Sequence, residues 1–342
     1  MEKITDFAKY LTLFFTEYLV LERGVSKNTI RSYGDTFSLV IEFMRHVKYI
    51  SADRLKLVHF NRTVVLEFLD WLQSERHCSV STRNTRLAAL HTFFYYLQYV
   101  EIQHISKWQE ILTIKIKRGE RTSFSHMSME GVKALLGQIP TDTIEGRRHL
   151  AMLSFLYDSG ARAQELIDVT PENFSFEQPP FVVLYGKGRK KRIVPIQGKQ
   201  IDILKIYMRD IGLDKPQNNT RPLFTNAHGG KLTTAGLTYI INHYANMVRI
   251  QSPGLIPDRI SPHTFRHSKA MHLFQAGVNL VYIRDILGHV SIQTTEIYAR
   301  ADSKQKREAL EKVYVDVVPT DFQEGSWERD SDLKKWLKGL GR

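Results

Sequence analysis

The sequence predicts a multidomain chain: an all-α helical bundle, then a mixed α+β, mostly helical domain carrying a small antiparallel sheet. Three observations carry that prediction. From residue 5 to about 112, apolar residues recur at helical spacing. Over KIKRGERTSFSHMS (115–128) the periodicity lapses into charge and small residues. Beyond it, FVVLYGKGRKKRIVPI (181–196) sets two alternating, β-branched arms around Gly-Lys-Gly. At 342 residues and 42% hydrophobic, the chain can bury two cores.

Four periodic blocks make up the first part: ITDFAKYLTLFFTEYLVLE, NTIRSYGDTFSLVIEFMRHV, NRTVVLEFLDWLQSE and STRNTRLAALHTFFYYLQYV. Each reads as one helix. The later three open on oxygen-bearing side chains, Ser26 or Asn28, Asn61, and Ser79 or Ser81, able to accept from the unpaired amides of a first turn. The expected divisions are a helical domain over 1–113, a basic linker over 114–127, a second domain over 128–318 and a tail over 319–342. In the second domain MEGVKALLGQI and RRHLAMLSFLYDSG are helical in pattern, the 181–196 stretch is a strand pair, and after Pro262 helices return through HTFRHSKAMHLFQAG, LVYIRDILG and SIQTTEIYAR. The charged KQKREALEKVYVDV and the amphipathic SDLKKWLKGLGR follow, and no internal repeat is evident.

Lys and Arg number 48 against 36 Asp and Glu, a net charge of +12 that points to an acidic partner, nucleic acid first and an anionic membrane second. The membrane lacks a segment: no apolar run reaches the roughly 18 residues a span needs, and LTLFFTEYLVL is broken by Glu17. The start, MEKITDFAKY, has no secretory pattern, and the single Cys78 leaves no internal disulfide framework or multi-cysteine zinc site. These features predict a cytoplasmic protein.

Several residues are candidates for chemistry. In HTFRH, His263 and Arg266 share one helix face behind a Ser-Pro start. His263 and His267 stand at a zinc-ligand spacing, yet no Glu lies between them and no third ligand is near, so no metal is expected. Arg162 follows a Gly-Ala turn in SGARAQEL, where it is either a surface arginine paired with Glu165 or part of a site. Lys187 sits at a glycine-flanked turn in GKGRKKR, a solvated loop or a cation that reaches a ligand. No phosphate-cradling GxxxxGK[ST] occurs. LGHVSIQTTEIYAR adds His289 and Tyr298.

In order and company these segments resemble the tyrosine site-specific recombinases, the phage-integrase family. SGARAQEL is similar to that family's Gly-x-Arg-x-x-Glu-Leu box, YGKGRKKRIVPI to its lysine hairpin, SPHTFRHSKAMHLFQAG to its His-x-x-Arg helix and LGHVSIQTTEIYAR to its Leu-Gly-His segment closing on the nucleophile. VSKNTIRSYGDTFSLVIEFM and SVSTRNTRLAALHTFFYYL resemble its helical, SAM-like core-binding domain. Ala161 departs from the pattern, standing where a larger aliphatic residue is common.

The resemblance implies a site of Arg162, Lys187, His263, Arg266, His289 and Tyr298, with Glu165 in support. Arg162 and Arg266 would fork onto the phosphate oxygens, staying charged at any working pH. Tyr298 would attack phosphorus, His263 accept its proton, Lys187 protonate the leaving oxygen and His289 brace phosphate and nucleophile. The product is a 3′-phosphotyrosine, which preserves the energy of the bond, so neither cofactor nor metal is expected. Expected partners are double-stranded DNA core sites, a homo-tetramer assembled on two duplexes and an accessory or partner recombinase. Candidate DNA contacts are Ser81, Thr82, Arg83, Asn84 and Arg86 at a helix start, Lys115, Lys117 and Arg118 in the linker, and Lys190, Lys191 and Arg192 in the hairpin. Integration or excision of a mobile element is the expected role, through a Holliday junction. Resolution of chromosome dimers and a non-catalytic architectural protein are the alternatives, and the tail is expected to dock on a neighbouring subunit.

Overall fold

A computed structural model describes residues 4–119, 125–186, 190–289 and 291–301, with the isolated positions 332, 335, 336 and 339. The chain divides into two compact units, Met1–Thr122 and Ser123–Arg342. KQKREALEKVYVDV (304–317) and most of the tail, the segment expected to dock, lie outside the described residues.

The first unit is all helix: α1 (Asp6–Leu13), a π-helical stretch (Phe14–Glu22), α2 (Lys27–His46), α3 (Arg62–Ser74), α4 (Val80–Val100) and α5 (Ile105–Leu112). Ser26, Asn61 and Ser79 are the N-caps, their side-chain oxygens accepting from Thr29, Val64 and Thr82 amides. Two expectations need correction. The first block is not one α-helix, because after Leu13 the turns widen, as in the bond from Arg23 N to Tyr18 O of 2.9 Å. This winding still buries Phe14, Tyr18 and Leu19. The unit also holds a fifth α-helix, ISKWQEIL, too short for isolated periodicity to stabilise. Packing supplies what length does not: Trp108 is fully buried, stacks on Phe94 at 5.3 Å and donates from Nε1 to Glu101. Phe93 sits at the centre, with Phe7, Phe14, Phe37 and Phe94 around it.

The second unit contains α6 (Met129–Gly137), α7 (Ile144–Ser159), α8 (Ala163–Asp168), β1 (Phe174–Ser175), β2 (Phe181–Tyr185), β3 (Lys191–Pro195), α9 (Gly198–Asp210), α10 (Thr234–Gln251), α11 (Pro262–Gln275), α12 (Leu280–Leu287) and α13 (Gln293–Ala301). The strands form one antiparallel sheet in the order β1-β2-β3, with Val182 opposite Val194 and Leu184 opposite Arg192. Val182, Leu184 and Val194 are buried, while Tyr185 and Ile193 face outward. Strand β1 and helices α9 and α10 lie outside the segments that sequence pattern singles out, being either very short or without a motif, while α8 begins within SGARAQEL. Helix α7 is buried nearly all round, with Ala151, Met152, Leu153, Phe155 and Leu156 at no exposure, and it is the spine against which α9 and α11 pack. Among the described residues no helix is long and apolar enough to cross a membrane.

Replacing the central phenylalanine, Phe93→Ala, is expected to destabilise the first unit by about 3–5 kcal/mol. The check is urea unfolding followed by the fluorescence of Trp71 and Trp108, whose transition moves to lower denaturant.

Candidate active site

Three guanidiniums meet at the C-terminal end of α12. Arg192 Nε donates to Ile286 O at 2.9 Å, Arg266 Nη2 to Leu287 O, and Arg162 Nη2 to Gly288 O at 2.9 Å. The last carbonyls of a helix have no partner within it and carry the negative end of its dipole, so cations there are doubly favoured. Arg266 also donates from Nη1 to Gly160 O at 2.7 Å, joining the end of α7 to the end of α12.

One carboxylate holds two of these cations. Glu165, at the start of α8, accepts from both terminal nitrogens of Arg192 at 2.6 Å, from Arg162 Nη1 at 2.8 Å and from the Arg162 amide at 2.7 Å. Burial alone would raise its pKa. The Arg192 hydrogen bonds and charge, with those of Arg162, outweigh that and hold the carboxyl below its usual range. Two glycines make the convergence possible. Gly160 and Gly288 end α7 and α12 in the left-handed conformation, φ +57° and +64°. A Cβ on Gly160 would lie 2.7 Å from Leu287 Cδ2, and one on Gly288 would lie 2.9 Å from Arg192 Cδ.

Helix α11 starts on Ser261, whose amide is capped by the Thr264 hydroxyl, and Pro262. It presents exposed His263, Arg266 at 3% exposure and His267 on successive turns. Burial, then the charges of Arg162 and Arg192, lower Arg266 to about 9, still charged at neutral pH. Tyr298, from α13, is fully buried beside Ala270, Met271, Ile283 and Leu287. Its hydroxyl lies 2.9 Å from Nδ1 of His267, so the hydrogen bond reaches a histidine one turn beyond the expected His263. The His289 ring stacks on Tyr298, with centroids 6.4 Å apart, while its Nδ1 pairs with Thr295 Oγ1 at 2.9 Å. Burial, then Arg266 and Arg162, lower His289 to about 4, and the same surroundings lower His263. Burial pushes the Tyr298 phenol up to about 12, with Arg266 opposing.

An open cleft of about 530 Å³ borders this cluster, lined by Arg162, Lys190, Lys191, Arg192, Arg284 and His289, with Asp285 as its one acidic group among the described residues. Lys187 lies outside the described residues. Lys190 and Lys191 are exposed, whereas Arg192 is a correction: its side chain is 8% exposed and committed to Glu165 and Ile286, so it braces the site. Arg83 is a second correction. At 3% exposure it donates to Asn84 and to Lys115 O, because its position on α4 faces the core. Arg86 donates to Ser32 O and Thr36 Oγ1, tying α4 to α2. Asn84 and Lys117 exchange two hydrogen bonds, and Ser81, Lys115, Lys117 and Arg118 stay exposed while Thr82 is half-buried. Among the described residues no group of three or more His, Cys, Asp or Glu is placed to hold a metal ion.

Glu165→Gln is expected to reduce stability by up to about 3–5 kcal/mol, the cost of removing one partner of a buried pair. Since the folded pKa of Glu165 is depressed, its contribution is complete above the unfolded value near 4.3 and disappears as pH falls through the folded value. The melting-temperature gap between wild type and variant therefore narrows on acidification below that point.

Comparison with known proteins identifies the family. Residues 126–305 match the phage integrase family, and residues 14–99 match the phage integrase N-terminal SAM-like domain. A Sinorhizobium fredii protein named as an integrase/recombinase, y4rC, is 31% identical across 99% of this chain and 100% of its own. Tyrosine recombinase XerD of Listeria monocytogenes is 28% identical over 88% and 97%. In fold, the chain is similar to XerH site-specific recombinase in a post-cleavage complex with a palindromic difH substrate (TM-score 0.65, 23% identity, 84% of this chain and 80% of that one). It is also similar to the Tn1549 transposon integrase in complex with transposon right end DNA (0.66, 17%, 88% and 98%). The chain belongs to the phage integrase family and is a tyrosine recombinase, an enzyme that cleaves and rejoins DNA in site-specific recombination.

Proposed function

We propose that Tyr298 attacks the scissile phosphate while Arg162 and Arg266 hold its non-bridging oxygens. The observation that carries this is a charge imbalance: three guanidiniums converge on the end of α12, two of them are bonded to Glu165, and the cleft beside them is lined by further cations. A phosphodiester supplies the missing negative charge. Each guanidinium has five N–H groups, and Arg162 and Arg266 each spend two of them on the protein contacts described, so both retain donors for phosphate. Well-aimed donors of this kind are commonly worth about 3–4 kcal/mol of transition-state stabilisation.

In the reaction the Tyr298 oxygen bonds to phosphorus, the bond to the 5′ oxygen breaks, His263 receives the phenolic proton and Lys187 protonates the leaving oxygen. His289, stacked on Tyr298, braces the nucleophile. The 3′-phosphotyrosine keeps the bond energy, so the scheme needs no ATP and no metal. A 5′-hydroxyl from a second duplex reverses the step. Two such exchanges, in a homo-tetramer on paired core sites with or without a partner recombinase, pass through a Holliday junction. Ser81, Thr82, Asn84, Lys115, Lys117, Arg118, Lys190 and Lys191 are the proposed DNA contacts, and the cytoplasm the proposed compartment.

The biological role we propose is integration and excision of a mobile element, supported by the full-length likeness to the Sinorhizobium integrase/recombinase. Likeness to XerD over 88% of the chain supports a second reading, resolution of replicated circular chromosomes.

A nicked suicide duplex, carrying a site selected from random sequence by binding to the full-length protein, should trap wild type as a covalent band on a denaturing gel. Tyr298→Phe should give no band while binding as tightly. Arg266→Lys, which loses the planar fork, should cleave about 10²- to 10³-fold more slowly. Tight binding with no adduct from wild type would favour a non-catalytic architectural protein.

A further inference from the structure

We infer that His267 is the positioning residue that fixes the Tyr298 hydroxyl for attack. The inference rests on Tyr298 being the nucleophile. Its basis is the contact itself, Nδ1 to hydroxyl at 2.9 Å, with the two rings 5.9 Å apart and inclined by 57°. The Tyr298 ring is already confined by His289 stacked at 6.4 Å and by the apolar side chains of α11 and α12. With its Nδ1 carrying the proton, His267 donates to the Tyr298 oxygen, which fixes that oxygen and leaves the phenolic proton for His263.

Attack on phosphorus needs the two atoms about 3–3.5 Å apart and aligned, and a misplacement of about 1 Å costs on the order of a hundredfold in rate. His267 also neighbours Arg266 on α11, so one turn of helix sets both a phosphate donor and the nucleophile's orientation.

Proton transfer to His267 is a poorer account of the same contact. Burial, then His263, Arg266 and His126, lower this imidazole to about 4, whereas the phenol is pushed up to about 12. A general base works best with a pKa near the operating pH. A neutral imidazole held among cations is suited to hydrogen bonding and leaves proton acceptance to His263.

The test is single-turnover cleavage of the nicked duplex selected on wild-type, full-length protein. His267→Leu should cleave about a hundredfold more slowly than wild type. His267→Asn, whose amide occupies the place of Nδ1 and can bond the hydroxyl without taking its proton, should stay within about tenfold. Both should bind the duplex as wild type does. Leu within about threefold of wild type, or Asn as slow as Leu, would overturn the inference while leaving Tyr298 as nucleophile. No adduct from wild type would overturn both. Should His267→Leu fail to fold, ¹⁵N-imidazole NMR of the full chain serves instead: Tyr298→Phe should shift the His267 Nδ1 resonance, and an unmoved resonance contradicts the contact.

Discussion

The end of helix α12 is the point on which the site is built. Its final carbonyls, from Ile286 to Gly288, take one guanidinium each, from β3, α11 and the start of α8. Those arginines come from segments up to about a hundred residues apart in sequence, and their convergence fixes where the hairpin, the His-x-x-Arg helix and the His289 segment stand relative to one another. The arrangement depends on left-handed glycines at both helix ends, since side chains there would strike Leu287 or Arg192.

The same convergence has an electrostatic cost. Among the described residues Glu165 is the one carboxylate bonded to the arginine cluster, and its bonds to Arg192 and Arg162 leave the cluster positive. That excess is visible in its neighbours: His263 and His289 are held below the usual histidine range, with Arg266 and Arg162 contributing after burial. A site so arranged is incomplete without an anion.

Much of this was legible in the sequence, and where it was not the reason is physical. The Ser-Pro start, the i, i+3 placement of His263 and Arg266, and the alternation of the hairpin arms are local patterns, and the structure realises them. Arg192 sits in a basic run that reads as a solvated turn, yet it is two residues from buried Val194 and therefore shares its face. Arg83 likewise falls in register with buried Leu87, Leu90 and Phe94 on α4. In both cases periodicity held the answer and charge obscured it. The pairing of His267 with Tyr298 spans 31 residues and two helices, and no local pattern announces it. Short elements such as α5 and β1 owe their existence to packing against the rest of the fold.

The measurement that bears most directly on the account is the identity of the amino acid joined to DNA. Trypsin digestion of the trapped adduct, followed by mass spectrometry, should place the nucleotide 3′-phosphate on the peptide DILGHVSIQTTEIYAR, residues 285–300, at its tyrosine, Tyr298. A modified tyrosine or other nucleophile in any other peptide would contradict the assignment of this site.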